Sequence, residues 1–297
     1  MTRQRVDVSV DADGVAEVVL ARDERLNALD DAMFEALAAA IGRLQSDRIV
    51  RAVVLHGEGR GFCAGLDKSV FERILAQGTG AMGNLRERTH CDANLWQQVA
   101  WGWRKLPVPV IAAVHGIAFG GGLQIALGAD IRYVHSEARL SVAEVKWGLV
   151  PDMSGCIALT ELCRADVARE LVFSGRVFSG EEAGELGLAT HVSDDPLKHA
   201  RAFARHVSTL SPDAVRAGKR LLNAAAPVDS RRVLMLESLE QQQVLGSPNQ
   251  IEAIRAGTEK RSPGSVERTD ALFAASQFVE TRRTRLQRGR LAQTNPA

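Results

Sequence analysis

The sequence predicts an α/β fold with parallel strands, followed by a helical C-terminal region. Two short apolar runs, IVRAVVLHG and VPVIAAVHG, are rich in β-branched residues, and each leads into a glycine-rich turn. Helical spacing of apolar residues follows, and this alternation of strand and helix favours parallel pairing with the helices outside. From about Ala200 the pattern is almost wholly helical, with prolines between the segments.

The elements of the first hundred residues follow from local patterns. The alternating run VDVSVDADGVAEVVLA turns at Asp13-Gly14, which predicts a β-hairpin. Asp30 precedes apolar residues at helical spacing and is expected to cap a helix. A long helix is predicted from about Gly83 to Lys105, and Pro107 stops it.

The middle of the chain continues the strand and helix alternation. The segment AFGGGLQIALGAD predicts a helix that begins at a run of glycines. DIRYVHS and ARLSVAE are predicted to be strands, and residues 151–175 are predicted to form a turn and one helix.

Composition narrows the functional classes. The chain has 297 residues, 45% of them hydrophobic, and a formal net charge of +1, so it can bury a full core and gives no reason to expect nucleic acid as a partner. The uncharged stretch over residues 106–129 is broken by prolines and glycines, which predicts a buried strand and helix and no membrane partner. The N-terminus lacks an apolar signal core, so we expect a cytoplasmic protein. The four cysteines show no C-x-x-C spacing, so we expect reduced thiols and no metal site.

Two glycine-rich turns, HGEGRGFCAGLD and HGIAFGGGLQ, follow the two apolar strands. Strand carboxyl ends are where α/β sheets place ligands, and glycines let a ligand approach the backbone closely. A helix that begins at Gly120 to Gly122 would present unpaired N–H groups, which suit a developing oxyanion. For one such turn alone, tight turning or close helix packing is the favoured explanation, but two such turns on adjacent units favour a site.

The motifs GFCAGLD, HGIAFGGGLQIALGAD and AEVKWGLVPDMSG, in this order, resemble the crotonase superfamily of enoyl-CoA hydratases and isomerases. The resemblance runs from about Arg22 to about Val192. It implies a crotonase-type spiral of ββα units over residues 1–200 with an acyl-CoA site, and a helical oligomerisation region over residues 201–297. It further implies an acyl-CoA substrate with no other cofactor, assembly as a homotrimer or a dimer of trimers, and an oxyanion hole formed by the amides of Ala64 and Gly121.

The resemblance also identifies the residues that would move protons. The hydratases of the family use two glutamates, which correspond here to Gln124 and Glu144. An amide cannot accept and return a proton at neutral pH, so Gln124 is expected to be a positioning group. Asp152 stands where some double-bond isomerases carry an acid, although the same residue could cap the following helix. We therefore expect isomerisation by Glu144 and Asp152, with 2-enoyl-CoA hydration, or acyl-CoA binding with weak turnover, as alternatives.

Further substrate contacts are expected around both turns. The expected substrate-binding residues are Leu26, Ala28, Cys63, Leu66, Asp67, Phe119, Gly120, Gln124, Trp147 and Pro151. Arg22, Arg25 and Lys68 are candidates for the CoA phosphates, although surface cations are usually just solvated. The basic segment FVETRRTRLQRGRL near the C-terminus predicts an amphipathic helix that packs on a neighbouring subunit.

Two other enzyme classes compete with this interpretation. GRGFCA, residues 59–64, fits the G-x-G-x-x-A pattern of dinucleotide-binding turns, although no acidic strand end follows at the usual distance. Ser154 is the candidate nucleophile for a serine hydrolase, but the sequence does not show histidine and aspartate partners for it.

Overall fold

The computed structural model describes residues 4–225 and 229–264. Its larger sheet has six strands in the order β1-β2-β3-β4-β6-β9, and a smaller sheet has the order β5-β7-β8. The strands are β1 Val6–Val10, β2 Val15–Leu20, β3 Ala52–Gly57, β4 Val110–Val114, β5 Ile117–Phe119, β6 Ile131–Val134, β7 Arg139–Ser141, β8 Phe178–Ser179 and β9 His191–Val192. The hairpin β1-β2 is antiparallel as predicted, and every other neighbouring pair in the larger sheet is parallel.

Helices follow the strands and continue to the end of the described chain. They are α1 Asp31–Ser46, α2 Lys68–Gln77, α3 Leu95–Lys105, α4 Gly121–Leu127, α5 Gly155–Leu162, α6 Ala165–Ser174, α7 Gly180–Glu185, α8 Pro196–Ser208, α9 Pro212–Ala225, α10 Ser230–Val244 and α11 Pro248–Glu259. Single 3-10 turns cover Asp23–Arg25, Gly78–Gly80 and Glu144–Trp147. The predicted cap of α1 is confirmed, because the Asp30 side chain accepts a hydrogen bond from the Met33 amide.

The two faces of the larger sheet are covered by different helices. One face packs on the main core, to which α1, α3 and α4 contribute buried side chains such as Phe34, Trp103 and Leu123. The other face is covered by α8, whose Ala200 and Ala204 pack against β3 and β4. The glycine-rich turn before α4 and the turn after β3 therefore lie at one edge of a rigid, doubly covered sheet.

Two predicted helices differ from the observed ones. The helix predicted from Gly83 begins only at Leu95, because Asn94 and Gln97 form a reciprocal capping box there. The segment before it is irregular and is held by Arg88, which donates hydrogen bonds to the Leu85 carbonyl and to Gln97 Oε1. The single helix predicted over residues 151–175 is two helices, α5 and α6, separated by extended backbone at residues 163–164.

Two further sequence predictions concern membrane-spanning helices and the basic C-terminal segment. In the described ranges no helix has both the length and the apolar character needed to cross a bilayer. The amphipathic helix predicted for FVETRRTRLQRGRL lies outside the described residues.

Candidate active site

The three consecutive glycines at the start of α4, Gly120 to Gly122, are required by close packing. Gly120 has φ of +51°, and a Cβ atom there would lie 3.3 Å from Glu144 Oε1. A Cβ atom at Gly122 would lie 2.4 Å from the carbonyl oxygen of Cys63. Glycine therefore brings the N-terminus of α4 directly against the turn after β3, and the two turns form one site.

One of the two predicted oxyanion donors is not available to a ligand. The amide of Ala64 donates to the carbonyl oxygen of Leu26 at 2.9 Å, so the assignment of Ala64 is wrong. Gly121 is the first residue of α4, where amides have no partner within the helix. A Cβ atom built on Gly65 would lie 3.7 Å from the Gly121 nitrogen, so the turn after β3 lies next to the Gly121 amide.

In the same turn, the backbone amide of Leu66 is free among the described residues and that of Ala64 is not. The neighbouring Gly65 carbonyl and Asp67 amide both pair with Leu29, so the Leu66 amide faces away from that pairing. It makes no hydrogen bond within the described ranges, whereas the amides of Cys63, Ala64, Gly65 and Asp67 are all used. Leu66 also lines both cavities of the site.

Gln124 holds three chain segments together. Its Oε1 accepts hydrogen bonds from the amides of Met153 and Gly155, both at 2.9 Å, and its Nε2 donates to Glu144 Oε1 at 2.6 Å. Two N–H donors on one side require the carbonyl oxygen there, so the NH₂ group faces the carboxyl. A Cβ atom at Gly155 would lie 2.4 Å from Gln124 Oε1, which explains the glycine at that position. Gln124 thus acts on Glu144 by positioning it.

Glu144 is a buried carboxyl group with one free oxygen. It begins the 3-10 turn after β7 and is only 7% exposed. Oε2 is buried and has no hydrogen-bond partner among the described residues. Burial raises the pKa of Glu144 to about 7, although the hydrogen bond from Gln124 acts to lower it. A carboxyl group that titrates near neutral pH is suited to taking and returning protons.

Asp152 is the second buried acid of the same cavity. It is 7% exposed, and its Oδ2 likewise has no partner among the described residues. Burial raises the pKa of Asp152 well above its ordinary value, and the negative charges of Glu237 and Glu144 raise it further. The alternative role as a helix cap is not realised, because α5 begins at Gly155 and Asp152 makes no capping bond to it.

Glu237 is a third buried acid, which the sequence analysis did not identify. It lies on α10 and accepts hydrogen bonds from the amides of Ser154 and Cys156 and from Gln97 Nε2. Burial raises the pKa of Glu237 to about 8. Nothing in the polar run LESLEQQQ marks this glutamate, since only the packing of α10 on α5 brings it to the site.

The three raised pKa values predict that the protein loses stability as the pH rises. An acid whose folded-state pKa lies above its unfolded value stabilises the fold when protonated, and that stability is lost as the pH rises through the folded-state pKa. Urea unfolding at about pH 5 and about pH 8.5 should therefore give a lower midpoint at the higher pH. Glu237→Gln should flatten this dependence, whereas Glu35→Gln on the exposed face of α1 should leave it unchanged. An equally steep dependence in Glu237→Gln would contradict the assignment.

Two cavities meet at Leu66. The smaller one, of about 50 Å³, holds Glu144, Asp152, Gln124 and Gly121. The larger one, of about 560 Å³, contains Leu26, Ala28, Ala64 and Asp67 in its wall. The larger cavity is also lined by four cationic side chains, Arg25, Arg60, Lys68 and Lys260, and by three acidic ones, Glu24, Asp67 and Glu72. The arrangement suits a small reacting group in the first cavity and an anionic carrier in the second.

Several predicted substrate contacts lie elsewhere. The Cys63 thiol is fully buried and donates to the Asn27 carbonyl, and the Phe119 ring lies under Arg139, so neither lines a cavity. Trp147 lines the larger cavity, stacked on Phe71 with ring centroids 4.7 Å apart, and is absent from the smaller one. Pro151 lines neither cavity, although its neighbour Val150 lines the smaller one.

Two further predictions concern Arg22 as a phosphate contact and residues 59–64 as a dinucleotide-binding turn. Arg22 forms ion pairs with Asp67 and Asp30 and is not among the residues that line the larger cavity. The dinucleotide pattern at residues 59–64 does not itself open a helix: Phe62 and Cys63 pair with backbone carbonyls around β5, and α2 begins only at Lys68. Its glycines therefore do not present helix amides to a phosphate.

Comparison with known proteins relates this chain to enoyl-CoA hydratases and isomerases. The sequence model of the enoyl-CoA hydratase/isomerase family matches residues 11–267. The chain is 32% identical to mouse mitochondrial methylglutaconyl-CoA hydratase over 258 residues, covering 84% of this chain and 79% of that protein. It is 31% identical to a probable enoyl-CoA hydratase of Bacillus subtilis over 259 residues, covering 86% and 97% of the two chains.

A solved structure shares the fold. The crystal structure of an enoyl-CoA hydratase/isomerase from Mycobacterium paratuberculosis superposes with a TM-score of 0.77 at 28% identity, covering 85% of this chain and 98% of that one. The family match spans both glycine-rich turns and the two acids of the smaller cavity. The chain belongs to the enoyl-CoA hydratase/isomerase family of the crotonase superfamily, whose members act on acyl-CoA thioesters.

Proposed function

We propose that this protein moves a carbon–carbon double bond in an enoyl-CoA or dienoyl-CoA thioester. The observation that carries the proposal is a pair of carboxyl oxygens in one small cavity, Glu144 Oε2 and Asp152 Oδ2, which have no hydrogen-bond partner in the described part of the chain. Hydration of the type run by two glutamates needs an acid at position 124. Here that position holds an amide whose oxygen and nitrogen are both committed to protein partners.

The proposed reaction is a proton transfer through an enolate. Glu144 takes a proton from the α-carbon, and the electron pair moves onto the thioester oxygen. The amides of Leu66 and Gly121 donate to that oxygen, and one such preorganised donor is typically worth about 3 to 4 kcal/mol. A proton is then delivered at the γ-carbon of a 3-enoyl group, or at the end of a conjugated dienoyl group, by Glu144 or by protonated Asp152. No atom is gained or lost, so the reaction needs no further cofactor.

The larger cavity is proposed to hold the CoA portion of the substrate. Its cations, Arg25, Arg60, Lys68 and Lys260, suit the phosphates, and the carbonyl end of the pantetheine would reach the smaller cavity past Leu66. Assembly as a homotrimer or a dimer of trimers remains part of the proposal, because the resemblance to the crotonase superfamily implies it.

Side-by-side assays of 3-enoyl-, 3,5-dienoyl- and 2-enoyl-CoA test the reaction. Isomerisation is expected to exceed hydration. Asp152→Asn is expected to lower isomerisation by about a hundredfold, because loss of one positioned acid or base typically costs that much. Gln124→Ala should reduce the rate less than either Glu144→Gln or Asp152→Asn. An unchanged rate in Asp152→Asn would remove that residue from the mechanism.

Hydration of 2-enoyl-CoA is the second candidate, because relatives that are 31% and 32% identical carry hydratase names. In that case Glu144 and Asp152 would divide the activation of water and the protonation of the α-carbon between them. Faster hydration of 2-enoyl-CoA than isomerisation of the other two substrates would select this reaction.

A further inference from the structure

The smaller cavity has mostly apolar walls around two acids, Glu144 and Asp152, and two amide side chains, Gln124 and Gln241. Its walls come from Leu29, Phe34, Leu66, Met82, Trp96, Leu149, Val150 and Met153. Its volume is about 50 Å³, against about 560 Å³ for the larger cavity. This volume suits a short acyl group.

An aromatic pair limits the cavity on the side of α1 and α3. The rings of Phe34 and Trp96 meet edge to face, with centroids 4.4 Å apart and planes at 82°. Phe34 is 1% exposed within the main core, and Trp96 lies in the first turn of α3, directly after the capping box at Asn94. The Phe34 ring is therefore held by its surroundings and cannot give way easily to a longer chain, and the half-buried Trp96 ring packs edge to face against it.

The cavity offers an anionic acyl group no cationic partner among its described lining residues. Its ionisable lining residues are Glu144 and Asp152, and its described lining contains no lysine, arginine or histidine. Glu237 adds a further acid close enough to act on Asp152. A carboxylate at the far end of an acyl group would lose its hydration without gaining a cationic partner, which is costly in an apolar cavity.

We propose that the natural substrate carries a short, uncharged acyl group, and that the Phe34–Trp96 pair sets the upper limit of its length. The inference rests on the proposed function, since it assigns the acyl group to the cavity of the two acids. It also separates this chain from the relative named methylglutaconyl-CoA hydratase, because the methylglutaconyl group ends in a carboxylate.

Calorimetric binding of saturated acyl-CoAs tests this without relying on turnover. Pentanoyl-CoA should bind at least about tenfold more tightly than decanoyl-CoA, which is too long, and than glutaryl-CoA, which has the same length but a terminal carboxylate. In Trp96→Ala, decanoyl-CoA should gain at least about tenfold while glutaryl-CoA stays weak. Phe173→Ala, which removes an aromatic side chain that is 73% exposed on α6, should leave all three affinities unchanged.

The outcomes separate this inference from the proposed reaction. Equal binding of pentanoyl- and decanoyl-CoA by the wild type would overturn the length limit, and equal binding of pentanoyl- and glutaryl-CoA would overturn the charge selection. Because the wild type alone gives both comparisons, a Trp96→Ala variant that fails to fold does not decide the result. Selective binding of pentanoyl-CoA with no double-bond shift in any enoyl-CoA would support the substrate class and contradict only the reaction.

Discussion

Glu144→Gln is expected to lower kcat/KM for double-bond isomerisation by about a thousandfold, within the range typical for loss of a general acid or base. The substitution keeps the shape of the side chain, and an amide oxygen can still accept the hydrogen bond that Gln124 donates. Acyl-CoA binding should therefore be preserved while proton transfer is lost. The measurements are steady-state kinetics and exchange of the α-proton of a saturated acyl-CoA in deuterated water.

The pH dependence of kcat/KM is a second test of the role of Glu144. Because burial places the pKa of Glu144 at about 7, kcat/KM should rise with pH through that value as the carboxylate forms. Glu35→Gln, which changes an exposed glutamate on α1, is the matched control and should retain the wild-type rate and profile. A Glu144→Gln variant that kept the wild-type exchange rate would show that another group removes the proton.

Gly122→Ala is expected to lower the free energy of unfolding by about 3 kcal/mol or more, at the upper end of the cost of overpacking. The new Cβ would lie 2.4 Å from the Cys63 carbonyl oxygen and 2.9 Å from the Cys63 sulfur, and the oxygen belongs to a backbone fixed by pairing with β5. Either α4 or the turn after β3 must move. Any variant that folds should also lose activity, because the same shift displaces the Gly121 amide.

Thermal unfolding followed by circular dichroism measures this effect. The matched control is Gly42→Ala in the interior of α1, where a Cβ atom would meet nothing within 4 Å. That change should raise stability by about 0.5 to 1 kcal/mol, because alanine favours the helix over glycine. A Gly122→Ala protein that melts at the wild-type temperature would refute the packing interpretation of the glycine run.

Elements that depend on a few neighbouring residues could be predicted well. The hairpin at Asp13-Gly14 and the cap at Asp30 require only the residues beside them, and both are present. The helix predicted from Gly83 failed because its apolar residues suggested continuity, whereas Arg88 and Asn94 hold the segment in an irregular path. That path depends on contacts with α10, which hydropathy spacing does not reveal.

Within the site, residue types were easier to predict than their connections. Glu144 and Asp152 were identified from their motif, and both line the smaller cavity. The choice between Ala64 and Leu66 as the free amide depends on which backbone groups Leu26 and Leu29 occupy, and the two candidates stand in one short turn. Glu237 stood outside the motifs, because its partners Ser154 and Cys156 are more than eighty residues away in the chain.

The sequence by itself determined the family, the order of most strands and helices, and the presence of two acids beside a glycine-rich turn, because these features rest on local patterns and ordered motifs. Only the tertiary structure decided which amides stay free, that Gln124 ties Glu144 to the start of α5, and that Glu237 joins the acids. The physical reason is that hydrogen-bond use and burial depend on groups from distant parts of the chain, whereas helix caps and turns depend on their immediate neighbours.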